Sequence, residues 1–295
     1  MSARDYLWEK RGEPDTETRE LEALLGQARF SGMTLPVEKP SRRWPLGLAV
    51  LAAAAAVVVM LVPRDGFVML TVDGLSRKLY RAEWLETGAG QHATLQLGGS
   101  IGHVEVAEGS RVRVTRVDKQ EQRLELARGR VHATVDAPPR LFVIDTPSAT
   151  AVDLGCEYEL SVDAAGGSRL QVLSGSVELA GRGRSSIVLE GMWSVTQAGQ
   201  APGVPVDLEA SPALISALER LDQDGSVLPL LLQQASGHDA VTLWHLLPRT
   251  DGEARKAVFA RLSELVPVRV DEAATLRLDP AALDAWWDAC VAARG

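Results

Sequence analysis

Histidines, cysteines and paired carboxylates are the side chains of this sequence that could move a proton, hold a metal or attack a substrate. The five histidines, His92, His103, His132, His238 and His245, have no metal-ligand spacing to one another or to a cysteine. Cys156 and Cys290 are too few for a disulfide framework or a multi-cysteine metal centre. They fall in segments of different pattern and are expected as two separate small apolar thiols, with a single bridge between them as the alternative. Glu157 and Glu159 share a strand face, but no acid–base partner for them is visible in the sequence. Gly98-Gly99-x-x-Gly102 lies among strands and lacks the helix whose N-terminus would hold a phosphate, and no G-x-S-x-G is present. His245 sits in AVTLWHLL, apolar nearly all round, and is expected as a satisfied core histidine. This inventory predicts a chain that is not an enzyme and takes no cofactor or metal.

The elements around these residues divide by pattern. Residues 44–62, WPLGLAVLAAAAAVVVMLV, carry no charge; as a helix they would be about 28 Å long, close to the hydrocarbon thickness of a bilayer. They are expected to form one transmembrane helix. Lys39, Arg42 and Arg43 precede that run, which predicts a cytoplasmic N-terminus and an outer, periplasmic bulk. The net charge of −8 offers no general attraction to nucleic acid, so no direct nucleic-acid partner is expected.

Residues 1–43 hold eight bases and eight acids and are neutral as a whole. Pro14, with Asp15, Glu17 and Glu20 behind it, reads as a helix start. Leu21, Leu24, Leu25 and Ala28 then recur at helical spacing as one apolar stripe. A lone helix so short is marginal in water, so the stripe needs a cover: the Tyr6-Leu7-Trp8 segment, the bilayer surface or a partner protein.

From 66 to 200 the pattern becomes alternation. Val104-Glu105-Val106, Val112-Arg113-Val114 and Ile187-Val188-Leu189 are examples, punctuated by Glu108-Gly109, Arg128-Gly129, Ser174-Gly175 and Arg182-Gly183. Many short strands are expected, in a sandwich, a barrel or a β-solenoid-like stack. LELARGRVHATV (124–135) and LQVLSGSVELAG (170–181) read as a weak repeat, each a strand entering a glycine turn and leaving as another strand.

The run LFVIDTPSATAVDLGCEYELSVD, followed by LQVLSGSVEL and VLEGMWSVTQAG, resembles the FecR family of transmembrane regulators. Thr146-Pro147 after a strand, Leu154-Gly155, Gly175-x-Val177 and Glu190-Gly191 carry the resemblance, which covers about residues 90–200. It departs from the family at Cys156, where Thr is common, in the shortness of residues 1–43, and in the C-terminal part. That last part, 207–295, is expected as a helical bundle. Ser211-Pro212 and Asp279-Pro280 read as N-caps followed by Pro, Ala254, Val258, Phe259, Leu262 and Leu265 as one stripe, and Trp286-Trp287 as core on one side.

The resemblance implies a relay in which an outer domain senses an envelope signal and an inner segment holds an extracytoplasmic-function sigma factor. The partners expected are that sigma factor, contacted through Leu21, Leu24, Leu25 and Ala28, and an envelope partner in the periplasm or outer membrane. The alternative is an envelope scaffold or ligand-binding protein without sigma coupling.

Overall fold

The computed structural model describes residues 66–221 and 224–294, which belong to a compact unit spanning 64–295. The alternating stretch folds as β1 (Phe67–Val72), β2 (Leu75–Tyr80), β3 (Trp84–Glu86), β4 (Ala93–Gln96), β5 (Gly102–Val106), β6 (Arg111–Val117) and β7 (Gln122–Val135). It continues as β8 (Phe142–Asp145), β9 (Thr150–Val162), β10 (Ser168–Gly181), β11 (Arg184–Leu189), β12 (Met192–Thr196) and β13 (Val206–Asp207). The helices are α1 (Pro212–Leu221), α2 (Leu228–Gln234), α3 (Ala240–Leu246), α4 (Gly252–Leu265), α5 (Glu272–Leu276) and α6 (Pro280–Ala292).

These strands form one sheet in the order β13-β12-β10-β9-β8-β7-β5-β4-β1-β2, with β11 on β10, and β6 joining β3 to β7. The β7–β8 pair is parallel and the others are antiparallel, so the sheet is mixed. Its backbone is three long strands, β7, β9 and β10, of 14, 13 and 14 residues, where short ones were expected. The glycines expected as turns, Gly129 and Gly175, lie inside β7 and β10. Each marks the place where a strand changes neighbours. β7 pairs with β6 up to Arg128 and with β9 from Gly129 onward; β10 pairs with β12 before Gly175 and with β11 after it.

Both positions demand glycine. Gly129 has φ +91°, and a Cβ there would lie 2.4 Å from Ser110 Cα; Gly175 has φ +77°, and a Cβ there would lie 2.2 Å from the Gly155 carbonyl oxygen. A bulged, twisted strand with left-handed backbone and a second chain pressed against it leaves no room for a side chain.

The expected fold class needs a second correction. Among the described residues no helix is long and apolar enough to cross a membrane. The longest, α4, has 14 residues, or about 21 Å against about 30 Å of hydrocarbon, and carries charge along its length. The transmembrane helix expected at 44–62 lies outside the described residues and is not supported. The fold observed is a mixed sheet followed by helices.

The helices form where capping and apolar spacing placed them. Ser211 Oγ accepts the Leu214 N–H at 3.1 Å, and Asp279 Oδ1 accepts those of Ala281 and Ala282 at 3.0 and 3.2 Å. α3 is buried on most of its circumference, as an all-apolar helix must be. Val258 and Leu262 of α4 are buried, with Ala254, Phe259 and Leu265 packed beside them. Trp286 is fully buried against Phe259, at 5.3 Å between ring centroids, while Trp287 is half-buried on Trp244 at 4.7 Å. One apolar core runs without a break from Val68 in β1 to Cys290 in α6.

Candidate functional site

Three polar places stand out once the fold is in view. The first is a cleft of about 640 Å³ where the end of the sheet meets the helices. The residues between β12 and β13 form one wall, and α1 with the 249–254 turn forms the other. Its volume is that of a small-ligand site. The walls are fastened to each other by side chains. Arg249 donates to Pro202 O at 2.7 Å, to Ser186 Oγ at 2.6 Å and to Gly203 O at 3.2 Å. Thr242 Oγ1 donates to Pro205 O at 2.7 Å. His245 Nε2 donates to Ile187 O at 3.3 Å, and burial, helped by the Arg249 charge, pushes its pKa down to about 3. The ring is therefore a neutral strut between α3 and β11, which agrees with a core histidine.

The second place is the outer face of the sheet. Thr94, Glu105, His132, Glu159 and Gln171 are successive register partners across β4, β5, β7, β9 and β10. Register partners point the same way, so these five form one polar row. The adjacent row, Ala93, Val106, Val131, Leu160 and Leu170, faces the core and is buried. His132 Nε2 lies 2.9 Å from Glu157 Oε1, and its Nδ1 lies 3.9 Å from Glu159 Oε1. The partner that the sequence did not reveal for these two glutamates is thus a histidine on the neighbouring strand, 25 residues away from Glu157. No local signal could have found it, because only strand pairing creates it. A shallow groove of about 420 Å³ lies along this row, between His92 and Arg130. Among the described residues no three His, Cys, Asp or Glu side chains converge as a metal site.

The third place is inside the β core. Cys156 is buried and unpaired, as expected, and its thiol donates to Asp153 Oδ1. Asp153 Oδ2 accepts the Gly155 N–H at 3.0 Å. Burial raises the Asp153 carboxyl above the usual carboxylate range and pushes the Cys156 thiol far up, so the thiol is held protonated. The nearby Tyr158 hydroxyl is buried and makes no hydrogen bond with the described residues. Asp153 and Cys156 thereby pin the irregular stretch of β9 that faces Gly175.

These last residues lie in the stretch whose motifs carried the family resemblance, and a family model described as FecR protein matches residues 83–178. Over that stretch the chain is similar to the FecR protein family. The matched stretch runs from β3 into β10 and contains both the His132 row and the Asp153–Cys156 pin, whereas the cleft lies beyond it in sequence. Two crystal structures of a candidate anti-sigma factor from Parabacteroides distasonis ATCC 8503, at 1.65 and 2.50 Å resolution, share a distant likeness. Each is 15% identical, with TM-scores of 0.38 and 0.37, over 47% of this chain and 65% and 64% of theirs. This chain thus spans less than two thirds of the length of those structures. No curated protein matches it. The sites expected from sequence, Leu21, Leu24, Leu25 and Ala28, lie outside the described residues.

Proposed function

We propose that this chain is a FecR-type regulator of the anti-sigma kind, in which the sheet and its helices sense a signal at the envelope and residues 1–43 hold a sigma factor. The observation that carries the proposal is the FecR match over 83–178. The Leu21, Leu24, Leu25 and Ala28 stripe is the proposed sigma contact, because an apolar stripe on a short helix is stable only when covered. Burying each leucine is worth about 1.5–3 kcal/mol, so replacing Leu21 and Leu24 by Asp removes enough to abolish a micromolar complex. The first test is whether an adjacent gene encodes an extracytoplasmic-function sigma factor; with that protein in hand, a pull-down and reporter transcription test the contact. A double variant that binds and regulates like the parent would sink the sigma contact. Placement at the bacterial inner membrane, with residues 66–294 in the periplasm, belongs to the same proposal. Fractionation and protease accessibility of spheroplasts test it.

The cleft favours a second reading, an envelope ligand-binding protein without sigma coupling. The absence of any neighbouring sigma gene, with ligand binding intact, would select it.

A further inference from the structure

The cleft between β12–β13 and the helices is chemically lopsided. Val204, Ile215, Leu218 and Leu221 line it as half-buried apolar side chains. Glu219 and Asp251 also line it, are exposed, and make no ion pair or side-chain hydrogen bond among the described residues. Arg249, the basic residue in the lining, already donates to Ser186 and to the carbonyls of Pro202 and Gly203. Gln197 and Gln200 also line the cleft, with amide side chains that make no hydrogen bond among the described residues.

Each feature asks for a different part of one ligand. Apolar walls reward buried hydrocarbon, two unpaired carboxylates reward a cation, and primary amides offer both a donor and an acceptor, as a peptide backbone requires. A small polyamine would leave the apolar wall bare, and an acidic segment would be repelled. We infer that the cleft binds a short peptide segment in which a Lys or Arg side chain stands beside an apolar one. Glu219 and Asp251 receive the cation, Ile215 and Leu218 the apolar side chain, and Gln197 and Gln200 the backbone. This binding is independent of sigma coupling: a chain that holds no sigma factor still takes the peptide.

The test uses the full chain in a non-ionic detergent and fluorescence anisotropy with labelled synthetic Leu-Lys-Leu-Lys and its acidic counterpart Leu-Glu-Leu-Glu. The basic peptide should bind at least tenfold more tightly than the acidic one, and weaken as salt rises. Glu219→Gln with Asp251→Asn should cost the basic peptide at least tenfold, at an unchanged Tm. Glu219→Lys should shift preference toward the acidic peptide, and Ile215→Trp, which narrows the cleft, should weaken both. Equal affinity for the two peptides, absence of basic-peptide binding at millimolar concentration, or undiminished binding by the double variant would each overturn the inference. So would full displacement of the peptide by equimolar spermine, which would assign the carboxylates to a small amine.

Discussion

Arg294, just beyond α6, donates twice to Asp207 Oδ2 in β13, from Nε at 3.0 Å and from Nη2 at 2.7 Å, across 87 residues of sequence. The same guanidinium donates to Glu190 O at 2.9 Å. The two side chains are only 14% and 9% exposed, so solvent screens the pair little. It therefore acts as a latch between the last helix and the edge of the sheet. Removing one partner leaves a nearly buried charge unmatched. Arg294→Ala should lower the unfolding free energy by about 3 kcal/mol, seen as a reduced midpoint in urea. Arg294→Ala with Asp207→Asn should cost less than the two single changes summed. Simple additivity would mean that the latch carries no coupling.

His245 links stability to pH. Its folded pKa is about 3, whereas a free histidine titrates near 6.5. Between those values the unfolded chain takes up a proton that the buried ring refuses. The contribution is therefore complete above pH 6.5 and is lost as pH falls toward 3, at about 1.4 kcal/mol per unit. His245→Gln keeps a donor for Ile187 O and does not titrate. Its Tm should fall less than the parent's between pH 7 and pH 4; parallel curves would show that another group governs acid unfolding.

Cys156 should react slowly. Its thiol is buried, given to Asp153 and pushed up in pKa, and Cys290 is buried and pushed up to about 12. The thiolate is the reactive form, so a disulfide-exchange reagent should label neither residue appreciably at pH 7 until denaturant is added. Cys156→Thr retains a donor to Asp153 and should be tolerated. Cys156→Val should cost about 1–3 kcal/mol, because it leaves the buried carboxyl short of a partner. Equal stability of the two variants would remove Asp153 from the account.

Gly175 and Gly183 separate backbone strain from steric contact. Both have positive φ, +77° and +74°, but a Cβ at Gly175 would strike the Gly155 carbonyl, whereas one at Gly183 would meet nothing within 4 Å. Alanine at either site carries the conformational cost, about 1–3 kcal/mol. Gly175→Ala should lose clearly more, because β9 must also move. Equal losses would indicate that β9 yields freely at the bulge.

Much of the molecule follows from local physics and was legible without coordinates. Alternation placed strands from Phe67 onward, and the caps at Ser211 and Asp279 placed α1 and α6, since an orphan N–H group and its nearest acceptor lie within a few residues of each other. An all-apolar surround marked His245 as core, and the Trp286-Trp287 pair, read as core on one side, buries Trp286. The tertiary structure alone decided which strands are neighbours. A glycine with left-handed backbone serves equally well at a turn or inside a bulged strand, and only the arrival of Ser110 at Gly129, or of Gly155 at Gly175, selects the second. In the same way, the pairing of β7 with β9 brings His132 to Glu157, and the closing of the last helix on the sheet brings Arg294 to Asp207. These contacts span 25 and 87 residues. A pattern with a period of two or 3.6 residues says which face a side chain occupies, but nothing about what comes to meet it.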